Sequence, residues 1–283
     1  MREPVRQRIN AAARVSAKPV DGVFKLPGPS TIDELYQQGS ARIRFPRTEP
    51  GALQAVLINT AGGLTGDDHI QWTASAAPSA HLSVSTAACE KIYRTHGPAA
   101  TQSTTLNVAS HARLEWLPQE SIVFNGASLN RTMHVHLEDH AEALIGESLI
   151  FGRQAMQEST NKIIIHDRWR IYRAGRLQHA EDLHVDTGID DHARRACMLH
   201  HYSAISTLVL LCDKPDEWFC NKQSRLRAIP CAAPEHVSIG VSVLPSRLVI
   251  RVLASDSFQL RKILIPCIEL LNDGRPLPTV WKV

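Results

Sequence analysis

Between Leu53 and Ile171 the chain is built of short stretches in which apolar and polar residues nearly alternate, separated by Gly, Pro, Asn and Asp. Period-two alternation places successive side chains on opposite faces of a strand, so it predicts half-buried strands rather than helices. The runs include AVLINT (Ala55 to Thr60), HLSVST (His81 to Thr86), TTLNVA (Thr104 to Ala109), RLEWL (Arg113 to Leu117), MHVHL (Met133 to Leu137) and KIIIH (Lys162 to His166). In MHVHL, Met133, Val135 and Leu137 share one face while His134 and His136 share the other. Runs spaced by roughly ten residues predict an all-β meander, sandwich, barrel or solenoid, and exclude a βαβ fold. No fixed-period repeat is visible, so a repeat solenoid has no direct support.

The last third changes character. Asp256 to Asn272 sets Phe258, Leu260, Ile263, Leu264, Cys267, Ile268, Leu270 and Leu271 on one broad apolar sector, with Ser255 or Asp256 as N-cap. This predicts a helix kinked or interrupted at Pro266. A weaker helical pattern covers Asp216 to Ala228, and VSIGVSVL with RLVIRVL reads as a hairpin around Pro245-Ser246. The first 20 residues and the last ten, rich in charge and proline, are expected to be mobile or ordered by a partner. With 283 residues, 43% of them hydrophobic, the whole chain is read as a single domain.

The balance of 31 Lys plus Arg against 28 Asp plus Glu argues against both a nucleic-acid binder and a membrane-surface protein. The N-terminus lacks the apolar core of a secretory signal, which predicts a cytoplasmic protein. Six cysteines without a CxxC pair (Cys89, Cys197, Cys212, Cys220, Cys231, Cys267) predict reduced thiols rather than a zinc ribbon or a disulfide framework. The longest apolar run, around Ile205 to Cys212, is too short to span a bilayer.

Asn59 to Asp68 reads NTAGGLTGDD, a Gly-rich turn ending in two carboxylates. It lacks the Lys and Ser or Thr of a P-loop, and a strand rather than a helix follows it. Gly62, Gly63 and Gly66 are therefore read as suppliers of left-handed turn conformations. HVH (His134 to His136), His200-His201 and HVD (His184 to Asp186) lack strong metal-ligand spacing, and solvated strand faces explain them better. No nucleophile stands in an elbow or helix-start context. Asp67, Asp68, Glu90, Glu115, Glu120, Glu147, Glu158 and Glu181 are acids within or beside apolar segments. Glu147, inside EALIGESLIFGR, is the clearest: a buried carboxylate needs a cation such as Lys91, Arg94 or Arg153, a metal, or water. A structural ion pair and a functional role fit it equally.

Together AGGLTGDD (Ala61 to Asp68), STAACEKIYRT (Ser85 to Thr95), ARLEWLPQESIVFNGA (Ala112 to Ala127) and ESLIFGRQAMQE (Glu147 to Glu158) closely resemble the UreD/UreH urease accessory proteins. ARIRFPR (Ala41 to Arg47) precedes them and weaker matches in HAEDLHV and PTVW follow. The resemblance is strong over about residues 35 to 190. Two positions depart from the family pattern: Asp67 and Gln157 each stand where glycine is usual. A positive φ at position 67 would be tolerated by Asp better than by most residues.

What the resemblance implies is a mainly β protein with two helices in its C-terminal third, in the manner of a β-helix. It implies a non-catalytic cytoplasmic scaffold without a tightly bound cofactor. Such a scaffold would bind UreF, through it the GTPase UreG, and apo-urease, into which nickel is inserted. It also implies an internal polar passage for Ni²⁺, with Asp68, Glu147 and Glu181 as transient metal contacts. Lys91, Asp67 and Glu120 would be lining or structural partners. Dispersed carboxylates suit transit, because thiolates or several imidazoles would hold nickel too tightly. Two other readings from the residues are a metal-dependent hydrolase using dispersed His and Asp, and a plain protein-binding module whose acids form only ion pairs.

Overall fold

The computed structural model describes residues 8–21, 27–47, 51–152, 162–186, 199, 202–230, 233 and 235–282. Arg153, Gln157, Glu158, Cys197, His200, His201 and Cys231, named above, lie outside them.

Alternation becomes a winding of the chain between two sheets. β4 (Leu53–Asn59), β6 (His81–Thr86), β9 (Arg113–Trp116) and β12 (Glu142–Phe151) pair in parallel in one sheet. β5 (His69–Ala76), β8 (Ala100–Val108), β11 (Ser128–Leu137) and β13 (Ile164–Arg173) pair in parallel in the other. Successive strands thus visit the two sheets in turn, which makes a solenoid-like body of stacked coils, as the family resemblance implies. The coils lack a repeat visible in sequence because the constraint on each is only an inward apolar position at every second residue.

Further strands, most of them antiparallel to their neighbours, finish both sheets. In the seven-stranded sheet, β1 (Asn10–Pro19) pairs in parallel with β5 and carries antiparallel β2 (Ser30–Gln38) at one edge, and antiparallel β14 (Arg176–Val185) closes the other. In the ten-stranded sheet, β3 (Ala41–Arg44) pairs with β4. Beyond β12 lie β15 (Ala204–Leu211), β17 (Arg247–Ala254) and β16 (Val237–Leu244). Short β7 (Glu90–Ile92) and β10 (Ser121–Val123) join this sheet beside β12.

The inward faces of the two sheets make one apolar core, with Trp72, Leu106, Trp116, Met133, Ile145 and Trp169 among its members. A second core lies on the outer face of the ten-stranded sheet, where helices α1 (Asp216–Arg227) and α2 (Ser257–Leu271) cover it with Phe219, Leu226, Leu260, Leu264 and Ile268. α1 carries Asp216 and Glu217 in its first turn and Arg225 and Arg227 in its last, both matched to the helix dipole. Asp256 caps α2 by accepting from the Gln259 N–H at 2.8 Å.

Three expectations are corrected. The interruption at Pro266 does not occur: α2 is one helix from Ser257 to Leu271, held onto the sheet by six buried side chains. Asn10–Pro19, expected to be mobile, form a ten-residue strand whose alternate residues Ala11, Ala13, Val15 and Ala17 are buried. At the other end Trp281 is buried and its Nε1 donates to the Leu117 carbonyl at 2.9 Å. Charge and proline content missed both because each segment contributes a few small or aromatic contacts rather than an apolar run.

Candidate functional site between the sheets

β12 is buried on both faces. Its Ala143, Ile145, Leu149 and Phe151 enter the inter-sheet core, and Glu147 falls on that same face. The carboxylate is held by both oxygens. Trp116 Nε1 donates to Oε1 at 2.8 Å, and Arg131 Nη1 donates to Oε2 at 2.6 Å. Arg131 itself is 2% exposed and reaches Asp167 with Nε at 3.0 Å and Nη2 at 2.5 Å. Parallel register sets Arg131 directly beside Asp167 on β11 and β13, so the pair is fixed by backbone pairing as well as charge. Trp169 Nε1 also donates to Asp167, at 3.1 Å.

The triad of Glu147, Arg131 and Asp167 carries two formal negative charges and one positive. Burial raises the carboxyl of Glu147 above the ordinary range; Arg131 opposes this, while Asp167 adds to it. The guanidinium responds oppositely: burial lowers it, but Asp167 and Glu147 outweigh burial and raise it.

Glu147 lines two cavities. One, of about 170 Å³, also touches Asn59, Trp116, Gln102, Glu90 and the exposed Lys91. The other, of about 90 Å³, is lined by Arg131, Asp167, Glu181, Thr207 and Arg251, and reaches the exposed Asp182. Glu147 therefore lines both cavities, one of which includes the exposed Lys91 and the other the exposed Asp182. Burial raises Glu90 to about 7, and the bond from Asn59 only partly counters it. Glu181 accepts from Arg251 Nη2 at 2.7 and 2.6 Å and lies 2.8 Å from His179 Nε2. Burial would raise its carboxyl, yet these two partners hold it below the ordinary range.

A family model described as UreD urease accessory protein matches residues 14–282. The chain belongs to the UreD family. It is 40% identical over 277 residues to the urease accessory protein UreD of Rhizobium leguminosarum bv. viciae, covering 98% of this chain and 96% of that one. The urease accessory protein UreD of Agrobacterium fabrum is 39% identical over 282 residues, with 99% and 94% covered. That of the Chelativorans strain is 39% identical over 277 residues, with 98% and 95% covered.

Set against the residues that the UreD resemblance singled out, the structure brings Glu147 and Lys91 onto one cavity and Glu147 and Glu181 onto the other. Asp68 does not line either. Its Oδ1 accepts the Ile9 N–H at 2.9 Å and its Oδ2 the Thr65 N–H at 2.8 Å, which closes the Gly-rich turn. Asp67 is exposed at φ 64°, a positive φ that Asp adopts readily. Gly62 and Gly63 also have positive φ, whereas Gly66 does not. Gly66 is there for space: a Cβ would stand 2.0 Å from Thr95 Oγ1 and 2.4 Å from the Pro98 carbonyl. Glu120 is buried beside the first cavity, accepts from Cys89 Sγ at 3.4 Å, and lies 3.7 Å from Arg261 Nη1. Its Oε1 has no hydrogen-bond partner among the described residues.

Among the described residues the cation on Glu147 is Arg131 rather than Lys91 or Arg94. Arg131 and Asp167 had a signal in the sequence: each interrupts the inward set of an alternating strand, in Leu129-Arg131-Met133 and Ile165-Asp167-Trp169. A second buried network joins β9 to the end of α2. Glu115 Oε1 lies 3.0 Å from both His81 Nε2 and Arg113 Nε, and Arg113 continues to Glu142 and to Asn272 at the end of α2. Burial would raise Glu115, but His81 and Arg113 hold it down at about 2. Among the described residues no three of His, Cys, Asp and Glu are grouped to hold a metal ion. HVH stays on the solvated face, where His136 stacks on Tyr172 at 5.5 Å.

Proposed function

We propose that this protein is a non-catalytic, cytoplasmic component of nickel insertion into apo-urease, bridging urease to UreF and the GTPase UreG and passing Ni²⁺ along its internal polar cavities. The observation that carries this reading is the position of Glu147, a buried carboxylate that lines two cavities. The second cavity sets Glu147, Asp167 and Glu181 against Arg131 and Arg251. Such a lining favours a cation without offering the dense ligand set that would retain one. Glu147 and Glu181 serve as transient contacts and Lys91 limits occupancy at the first mouth. Asp68, Asp67 and Glu120 serve the structure around them.

The test is reconstitution. Apo-urease, UreF and UreG are co-expressed with and without this chain, and nickel is counted per urease active site. Loading that is unchanged without the chain would overturn the proposal. So would turnover of a small substrate by the purified chain that a point substitution abolishes.

A further inference from the structure

The seven-stranded sheet ends at β2, and this edge differs from the other three. β14, at the far side, is studded with charge: Arg176, His179, Glu181, Asp182 and His184. β3 is only four residues long. β16 is covered by α1, whose Gln223 Nε2 and Arg227 Nη2 both donate to the Val241 carbonyl, at 2.9 and 3.2 Å. Short length, charge, bulges and cover are the usual means of blunting an edge strand; β2 has a bulge and two acids, but neither short length nor cover. β2 is nine residues long, contains no Lys, Arg or Pro, and is exposed on both faces. Nine large hydrophobic side chains are exposed among the described residues, and three of them, Ile32, Leu35 and Tyr36, are on this one strand at 37%, 44% and 50%. Val20, just past β1, is a fourth.

A bulge shapes the charge of this edge. Pairing with β1 shifts at Ser16/Ala17, so that Ser16 faces Glu34, Ala17 faces Ile32, and Asp33 is the extra residue. Asp33 bonds Ser16 Oγ at 3.2 Å and lies 3.6 Å from the exposed Lys18 Nζ. The carboxylate of Glu34 has no ion pair among the described residues.

We propose that β2 is a docking edge that accepts an extended segment of a partner protein as an added strand, with a Lys or Arg of that segment opposite the Asp33–Glu34 bulge and apolar residues beside Ile32, Leu35 and Tyr36. Backbone pairing supplies the affinity of such an addition, and alternate side chains supply its selectivity. Charge decides against a second copy of this chain. Twofold self-pairing gathers two Asp33 and two Glu34 onto one short ladder with no cation contributed by either strand.

The test uses hydrogen exchange of the β2 amides in the full chain. The probes are a capped synthetic nonapeptide alternating valine and lysine, and its counterpart with glutamate for lysine. The lysine peptide is expected to slow exchange along β2 by tenfold or more at saturation, and the glutamate peptide to leave it unchanged. Leu35→Lys with Tyr36→Lys, both at exposed positions, is expected to abolish the slowing while the melting temperature stays at the parent value. Equal slowing by both peptides, slowing that survives the double substitution, or no slowing by millimolar lysine peptide overturns the proposal. So does slowing that rises with the concentration of the chain alone and accompanies a dimer on gel filtration.

Discussion

Replacing Glu147 by Gln separates metal transit from folding, because of what the neighbours retain. The amide keeps the volume, but Trp116 Nε1 and Arg131 Nη1 donate to different carboxylate oxygens, at 2.8 and 2.6 Å, so the amide's one carbonyl oxygen keeps one of these bonds and its NH₂ is set against the other donor. Arg131 keeps its two bonds to Asp167, so the buried triad goes from one excess negative charge to a neutral pair. Burial and Asp167 already raise the Glu147 carboxyl, so losing its charge costs little, and the one lost bond between buried groups is expected to cost about 1 to 3 kcal/mol. Arg131→Met is the contrast. It leaves two carboxylates buried without their cation, at a cost of roughly 3 to 5 kcal/mol. In a chain of 283 residues this lowers the melting temperature by roughly 5 to 8 °C. The assay pairs thermal unfolding of each purified variant with nickel counted per active site in urease matured beside it. Glu147→Gln is expected to melt about 2 to 5 °C below the parent, less than Arg131→Met, and to leave urease substantially under-loaded. Full loading, or a fall in melting temperature matching that of Arg131→Met, would refute the assignment of Glu147 to the metal path.

Two further outcomes follow from titrating groups. Glu115, depressed from 4.5 to about 2 in the folded chain, stabilises the fold fully above pH 4.5 and loses that contribution as pH falls toward 2. Its size is about 3 kcal/mol, so the stability gap between parent and Glu115→Gln should shrink across that window in acid unfolding; a gap independent of pH would contradict it. Glu90, raised from 4.5 to about 7, has the opposite sign: its ionisation weakens the fold as pH rises from 4.5 to 7. Glu90→Gln should therefore melt with the parent at pH 4 and above it at pH 8, and equal melting at pH 8 would count against the burial of that carboxylate.

Strand positions were legible from alternation of residue type, in strands buried on both faces as well as in those with one wet face. β6 spans the run HLSVST, and MHVHL lies within β11 with the alternation of burial that its sequence carries. The pairing order was not legible, because parallel coils bring together residues some 30 positions apart, as in Thr104 beside Met133, and alternation specifies a face rather than a neighbour. Glu147 was visible as an acid in an apolar run. Its partner was not, since Arg131 lies on the opposite sheet and only folding sets the two strands face to face. The Glu115 network was hidden for the same reason, with Asn272 lying 159 residues from Arg113.

The strand that carries Glu147 waits for its second neighbour during synthesis. β12 pairs with β9 from residues already made, but Ala143–Ile150 pair on the other side with Ala204–Leu211, and β17 follows later still. Glu147 meets Thr207, 60 residues downstream. At roughly 5 to 20 residues per second, the ribosome leaves this apolar strand without its partner for about 3 to 12 s. Nascent chains stalled between residues 151 and 204 should be the ones most readily captured by chaperones that hold exposed β-strands.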